Sequence, residues 1–258
     1  MLRVINVVYL GRVDYSTALE LQQTIVQLVK EGRIGNTLLL LEHTPVITLG
    51  RNAEARNIIA SPEFLASRGV ELFETDRGGD VTFHGPGQLV GYPIFDLRGF
   101  TPRLGAVEFV RKVEEVLIRT CGDLGVVTHR IAGLTGVWTD GPAKIAAIGV
   151  HISRAVTSHG FALNVSTHLD YFKLIVPCGI PDKPVTTLAH ELASDVSRKV
   201  PSLEETAEMV SRNFGRVFEA QTLWLPSLDA LLASPEDTPA RPPAELRKMA
   251  GSEDIYLA

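Results

Sequence analysis

The stretch VELFETDRGGDVTFHGPGQLVGYPIFDL, residues Val70–Leu97, decides how this chain can arrange its strands. Three strand-like pieces, Val70–Thr75, Asp80–Phe83 and Leu89–Leu97, follow one another with only Gly- and Pro-containing turns between them. Parallel neighbours need a crossover of about a dozen residues or more, so strands this closely spaced pair in hairpin-like groups. The expected fold is therefore α+β (α/β), a single domain of mixed β-sheets flanked by helices, rather than a doubly wound parallel sheet.

Towards the N-terminus, Val4–Leu10 reads as a buried strand. Ala18, Leu21, Ile25, Leu28 and Val29 then recur at helical spacing, with Gly32 and Gly35 as stop signals. Thr37–Leu41 and Val46–Leu49, separated by His43-Thr44-Pro45, read as two neighbouring strands. Towards the C-terminus, Leu104, Val107, Val110, Val113, Leu117 and Leu124 mark a long helix ending near Gly125. Strands are expected at Gly136–Thr139, Lys144–Ser153 and Val156–Val165. A last helix starts at Ser202, where Ser202 and Glu205 fit a capping box ahead of the stripe Leu203, Ala207, Val210, Phe214 and Val217. From Pro235 the composition turns to Pro, Glu, Asp and Arg, expected as a mobile tail or a surface arm. No internal repeat is visible. The expected organisation is one main domain over 1–226 with a C-terminal extension over 227–258.

The 258 residues are 45% hydrophobic and 21% charged, an ordinary globular mixture that excludes whole-chain disorder. No apolar run reaches the roughly 18 residues of a membrane helix, and no signal peptide is visible, so a soluble cytoplasmic protein is expected. A net charge of −5 without Lys/Arg runs argues against nucleic-acid binding. Two cysteines, Cys121 and Cys178, are too few for a disulfide scaffold, so each is either core or chemistry.

Three stretches carry chemistry. In Arg77-Gly78-Gly79-Asp80-Val81-Thr82-Phe83-His84-Gly85-Pro86-Gly87-Gln88, four glycines let the backbone approach a ligand, while Arg77, His84 and Gln88 offer hydrogen bonds. The spacing is neither a dinucleotide fingerprint nor a P-loop. Val176-Pro177-Cys178-Gly179-Ile180 puts a cysteine in a constrained loop, whereas Cys121 falls within a helix pattern and reads as a small core residue. Lys144 opens an apolar strand, either as a strand-end lysine in solvent or facing a pocket where its charge could hold a thiolate. Seven histidines show no metal-ligand spacing: His151 and His159 are too far apart for one helical face and lack a nearby cysteine pair, which argues against a zinc site, while His43 and His84 read as hydrogen-bonding residues near the site.

The RGGDVTFHGPGQ loop, the AKIAAIGV strand, the GFALNV segment and the VPCGI loop, in that order between about Val4 and Phe218, resemble the octanoyltransferases of lipoate synthesis. That family belongs to the biotin/lipoate ligase superfamily. The resemblance implies transfer of an octanoyl group from acyl carrier protein to a lysine of a lipoyl domain through a cysteine thioester. It implies Cys178 as nucleophile and Lys144 as the cation that favours its thiolate and transfers protons. Substrate binding falls to Arg77, Gly78, Gly79, Asp80, Val81, Thr82, Phe83 and His84, to Ala147, Ile148 and Gly149, and to Gly160, Phe161 and Ala162. Asp80 stands at a variable position of the loop, with no role of its own implied.

No cofactor is implied, the donor being carried on the phosphopantetheine of the carrier protein. The implied partners are octanoyl-acyl carrier protein, lipoyl domains of 2-oxoacid dehydrogenase complexes and the glycine cleavage H protein, with no nucleic acid or membrane and a monomeric state. Burying six methylenes at about 0.8 kcal/mol each contributes about 5 kcal/mol, which calls for an apolar tunnel. Ala146, Ala147, Ile148, Phe161 and Leu163 are candidates for its wall. An acidic carrier protein would need a local basic rim, for which Arg51, Arg56 and Arg68 are candidates.

Three other readings compete. ATP-dependent lipoate–protein ligases share the Gly-rich loop and lysine strand, but typically carry an acidic residue after the loop histidine, where this chain has Gly85, and need no cysteine. A silent lipoyl-domain binding module would have no reason to keep both Cys178 and Lys144. A Cys-His thiol protease lacks a local signature.

Overall fold

A computed structural model describes residues 3–179, 182–193, 195, 198–232 and 255–257. The chain begins with β1 (Arg3–Val13) and α1 (Tyr15–Lys30), the helix starting where the Asp14 carboxylate accepts the Thr17 N–H. In β2 (Thr37–His43), Leu38 and Leu40 enter one core cluster and Leu39 and Leu41 another, so the run of four leucines is a strand covered on both faces.

β2 and β3 (Val46–Leu49) are not paired neighbours as expected; they belong to different sheets. Pro45 has no N–H to continue the first ladder, and its carbonyl accepts the Glu71 N–H, which starts the pairing of β3 with β4 (Glu71–Glu74). β5 (Val81–His84) completes this small sheet in the order β4-β3-β5. The short α2 (Pro62–Ser67) lies between β3 and β4.

The large sheet continues through β6 (Gln88–Ile94), β7 (Thr128–Ile131), β8 (Leu134–Thr139), β9 (Lys144–Ser153), β10 (Val156–Asn164) and β11 (Ala220–Trp224). Its order is β11-β1-β2-β6-β10-β9-β8-β7. β1 runs parallel to β2 and β11 while β6, β8, β9 and β10 pair antiparallel, giving the expected mixed sheet. α3 (Ala106–Asp123) and α5 (Leu203–Phe218) cover one face, where Phe95, Phe109, Phe214 and Phe218 pack ring against ring. α1 covers the other through Ala18, Ile25 and Val29. The capping box at Ser202 and Glu205 is formed in both directions.

Beyond residue 226, α6 (Leu228–Leu232) buries Leu231 in the α1 cluster, and β12 (Ile255–Leu257) pairs with β9. Residues 233–254 and 258, most of the tail expected from Pro235, lie outside the described residues. Among the described residues no helix is long and apolar enough to cross a membrane.

Candidate active site

Lys144 is the first residue of β9, and the way its side chain points follows from an irregularity in register. Val137 of β8 faces Ala146 of β9, yet the next residue, Trp138, faces Lys144, so Ile145 is an extra residue in the ladder. Ile145 and Ala146 consequently both enter the α3/α5 core, and Lys144 is turned to the opposite face, beside Ala147 and Gly149. An unbulged strand would have sent Lys144 into the core. The lysine is only 7% exposed, and its Nζ lies 4.8 Å from the centroid of the Trp138 ring, a cation–π contact.

Cys178 comes to this ammonium from a separate loop. Its Sγ lies 3.2 Å from Lys144 Nζ. The Pro177-Cys178-Gly179 turn is tight, with φ of 55° at Cys178 and 66° at Gly179. A left-handed non-glycine residue costs on the order of 1–3 kcal/mol and persists where its surroundings over-determine it. Those surroundings are backbone clasps on either side. Asn57 C=O accepts the Val176 N–H at 2.7 Å, and Leu174 C=O accepts the Ile59 N–H at 2.8 Å. Further on, Lys144 N–H donates to Pro184 C=O at 2.8 Å and Thr186 N–H to Lys144 C=O at 3.0 Å. The strand that carries the amine thus also holds the loop that carries the thiol.

A cavity of about 260 Å³ opens beside the pair, between the Gly-rich loop and the β9–β10 hairpin. Of the residues the sequence pointed to, Arg77, Gly78, Gly79, Asp80, Thr82, His84, Ala147, Ile148, Gly149, Gly160, Phe161 and Ala162 line it with Lys144 and Cys178. Val81 and Phe83 do not. Alternation along β5 points them into the small sheet's own core, at 0% and 1% exposure, while Thr82 and His84 face the cavity. Ala146 and Leu163, expected in the tunnel wall, likewise lie in the α3/α5 core on the far face of the sheet.

Gly149 and Gly160 stand directly opposite each other in the β9–β10 register. A Cβ on Gly149 would sit 2.6 Å from Gly78 C=O, so glycine is what lets the loop lie on the strand. Arg77 lines the cavity while its guanidinium is held by the protein itself. Its guanidinium donates to Thr48 Oγ1, Thr48 C=O, Gly78 C=O and Asp80 C=O, bracing the loop from beneath.

Tyr15, Val90, Tyr92, Gly133, Leu134 and Thr135 also line the cavity without having been raised by the sequence, and so does His159, which the sequence raised only as a histidine without a metal-ligand spacing. No signal in the sequence places His159 there: Ser158 faces His151 and His159 faces Val150, so regular alternation would send residues 151 and 159 to opposite faces, and the left-handed φ of 54° at His159 breaks that alternation. Both rings donate to the Asp76 carboxylate at 2.6 Å, and these hydrogen bonds, His151 first, hold Asp76 well below the usual carboxylate range.

Burial pushes His84 down to about 3 and His43 down to about 4, so both rings are neutral at pH 7. His84 Nδ1 pairs with Gln88 Oε1 at 2.8 Å, Gln88 Nε2 donates to Asn164 Oδ1 at 2.9 Å, and Asn164 Nδ2 donates to Thr186 C=O at 3.1 Å. This chain ties the Gly-rich loop to the segment following Cys178. His43 lies behind the cavity wall, bonded to the Tyr92 hydroxyl at 2.7 Å. Burial also raises Tyr15 to about 12. Among the described residues no group of three or more His, Cys, Asp or Glu could hold a metal ion. Of the three candidate rim arginines, Arg56 pairs with Glu54, and Arg68 lies over the rings of Phe64 and Tyr171.

Residues 14–215 match the family model of the lipoyl protein ligase A/B catalytic domain. An octanoyltransferase of Koribacter versatilis is 64% identical, over 98% of this chain and 99% of its own length. One of Acidobacterium capsulatum is 59% identical, over 89% and 96%. Among solved structures, a lipoate-protein ligase A bound with ATP is similar at a TM-score of 0.71 and 14% identity, covering 90% of this chain and 92% of that one. A bipartite lipoate protein ligase from Thermoplasma acidophilum gives 0.68 at 15% identity, covering 90% of each. At such identities the structural likeness is one of fold.

Proposed function

The chain belongs to the lipoyl protein ligase A/B family, as an octanoyltransferase acting in lipoate synthesis, and from that premise we propose that it works through a thioester on Cys178 with Lys144 as its proton carrier. The observation that carries this reading is the 3.2 Å contact between Lys144 Nζ and Cys178 Sγ at the mouth of the cavity. An ammonium at that distance favours the thiolate, the form of cysteine that attacks carbonyls.

The donor is octanoyl thioester on the phosphopantetheine of acyl carrier protein. Cys178 Sγ attacks its carbonyl carbon, the carbon–sulfur bond to phosphopantetheine breaks, and the departing thiolate takes a proton from Lys144. The resulting neutral amine is then a base. As the lysine amine of a lipoyl domain attacks the Cys178 thioester, Lys144 recovers a proton from it, the amide forms, and Cys178 leaves as thiolate. Protons and charges are restored after each turnover. The acceptors are the lipoyl domains of 2-oxoacid dehydrogenase complexes and the glycine cleavage H protein, met by a monomer in the cytoplasm.

The size of the cavity supports an acyl chain as its occupant. About 260 Å³ falls below the roughly 300–1,000 Å³ of pockets for drug-sized ligands, and suits one unbranched chain better than an acyl adenylate. Neither nucleotide nor metal is part of this reading, because the thioester donor already supplies the driving force. Incubation with octanoyl-acyl carrier protein and no acceptor is expected to add one octanoyl group, removable by hydroxylamine, with or without ATP. Intact-protein mass spectrometry reads it, and an ATP requirement would overturn the proposal.

A further inference from the structure

Asp80 lines the cavity, but its carboxylate is fully engaged with the protein. Oδ1 accepts the Val81 N–H at 2.8 Å and the Glu54 N–H at 3.2 Å, while Oδ2 accepts the side-chain amide of Asn57. The same two side chains sit against the turn that holds the thiol. A Cβ on Gly179 would lie 2.5 Å from Asp80 Oδ2 and 3.5 Å from Asn57 Nδ2. Asn57 is also the residue whose C=O accepts the Val176 N–H, and Ile58 bridges to Ile175. The Asp80–Asn57 pair therefore grips the cysteine turn at both ends, at Val176 by a backbone hydrogen bond and at Gly179 by close contact.

Cys178 lies between those two points in the left-handed conformation. Without the grip, the turn would be free to relax towards ordinary backbone angles, which would swing Sγ away from Lys144. We infer that Asp80 is a positioning residue for the nucleophile: paired with Asn57, it fixes the Val176–Gly179 turn so that Cys178 Sγ stays on Lys144 Nζ. This rests on the reading of Cys178 as the acylated residue.

The hydrogen-bond polarity of the pair provides the test. Asn57→Asp alone sets one carboxylate against another, and Asp80→Leu alone leaves the Asn57 amide without its acceptor; Asp80→Asn alone is the mild exchange, because the Asn57 amide can flip and accept from the new amide. The double exchange Asp80→Asn/Asn57→Asp restores a single donor–acceptor pair, with the amide now on the loop side. Its side-chain carbonyl can still accept the N–H groups of Val81 and Glu54. Two quantities are measured on folded protein: the rate of Cys178 acylation by octanoyl-acyl carrier protein, and the pH midpoint of Cys178 alkylation by iodoacetamide.

Asn57→Asp and Asp80→Leu are each expected to slow acylation at least tenfold with little change in KM, and to raise the alkylation midpoint, while Asp80→Asn alone changes both less. The double exchange is expected to recover most of both. A role in stability alone would lower the melting temperature and leave the midpoint where it was. Asn57→Asp and Asp80→Leu variants that keep acylation within twofold and the midpoint unchanged, or a double exchange no better than Asn57→Asp alone, would overturn the inference. An octanoyl adduct that persists in Cys178→Ser would instead overturn the nucleophile assignment, while the alkylation midpoints would still report whether Asp80 governs this thiol.

Discussion

Cys121 and Cys178 bring the same thiol into opposite surroundings. Cys121 lies within α3 with no exposed surface, packed in the α3/α5 core, and burial pushes it up to about 12. Cys178 sits in a partly exposed left-handed turn with an ammonium at 3.2 Å. A helix interior offers no charge to offset the loss of water, so it keeps a thiol protonated and inert. The turn forgoes regular backbone hydrogen bonding, and what it presents is a sulfur accessible to a carbonyl and held beside a cation. What separates the two residues is whether the fold brings them a counter-charge.

The sharpest way to break this comparison is to exchange each sulfur for oxygen. Cys178→Ser is expected to lose the octanoyl adduct and to reduce kcat/KM by about 10⁶-fold, the scale seen when a covalent nucleophile is removed. Cys121→Ser is expected to keep the adduct and the activity, and to cost about 1–3 kcal/mol of stability for burying a hydroxyl. Mass spectrometry of both variants with donor alone decides between the two sites. An adduct lost from folded Cys121→Ser would reverse the assignment.

Lys144→Ala tests whether the counter-charge makes the difference. Acylation is expected to slow by about 10²–10⁴-fold, the range for a positioned proton-transfer group, and the pH at which Cys178 is alkylated is expected to rise. Quenched-flow acylation and an alkylation pH profile measure these. Cys121 should stay unlabelled in the native protein of either form.

The smallest effect expected concerns the surroundings of the cavity rather than its chemistry. His43 and His84 are neutral when folded, at about 4 and about 3, whereas in the unfolded chain they take up protons below about 6.5. The unfolded state therefore binds more protons as pH falls. The stability these two residues contribute is present above about pH 6.5 and declines as pH drops towards 4 and 3, by on the order of a few kcal/mol. Melting temperature should fall by about 2–4 °C per kcal/mol lost. His84→Asn, which cannot be protonated, should flatten part of that slope; an unaltered slope would show that His84 is not a buried neutral ring.

Much of this molecule was legible in its residues. The long helices, the strands around the Gly-rich loop, the capping box at Ser202 and the contrast between a helical and a loop cysteine are local matters, set by periodicity, Gly and Pro. Short elements such as α2, α4 (Leu188–Leu192), β7 and β11 carry too few residues for a period to register.

What the chain order could not convey was the face on which each strand residue lies. Thr82 and His84 line the cavity while Val81 and Phe83 turn away, and Lys144 reaches Cys178 only because Ile145 is an extra residue against β8. A shift of one residue in pairing exchanges the two faces of a strand, and that pairing is chosen by partners far away in sequence. By itself the sequence determined which residue types could do thiol chemistry and roughly which elements carry them. Only the tertiary structure decided that the amine, the thiol and the Asp80–Asn57 pair meet, because each lies on a different loop or strand and their approach depends on the register of sheets that no single segment encodes.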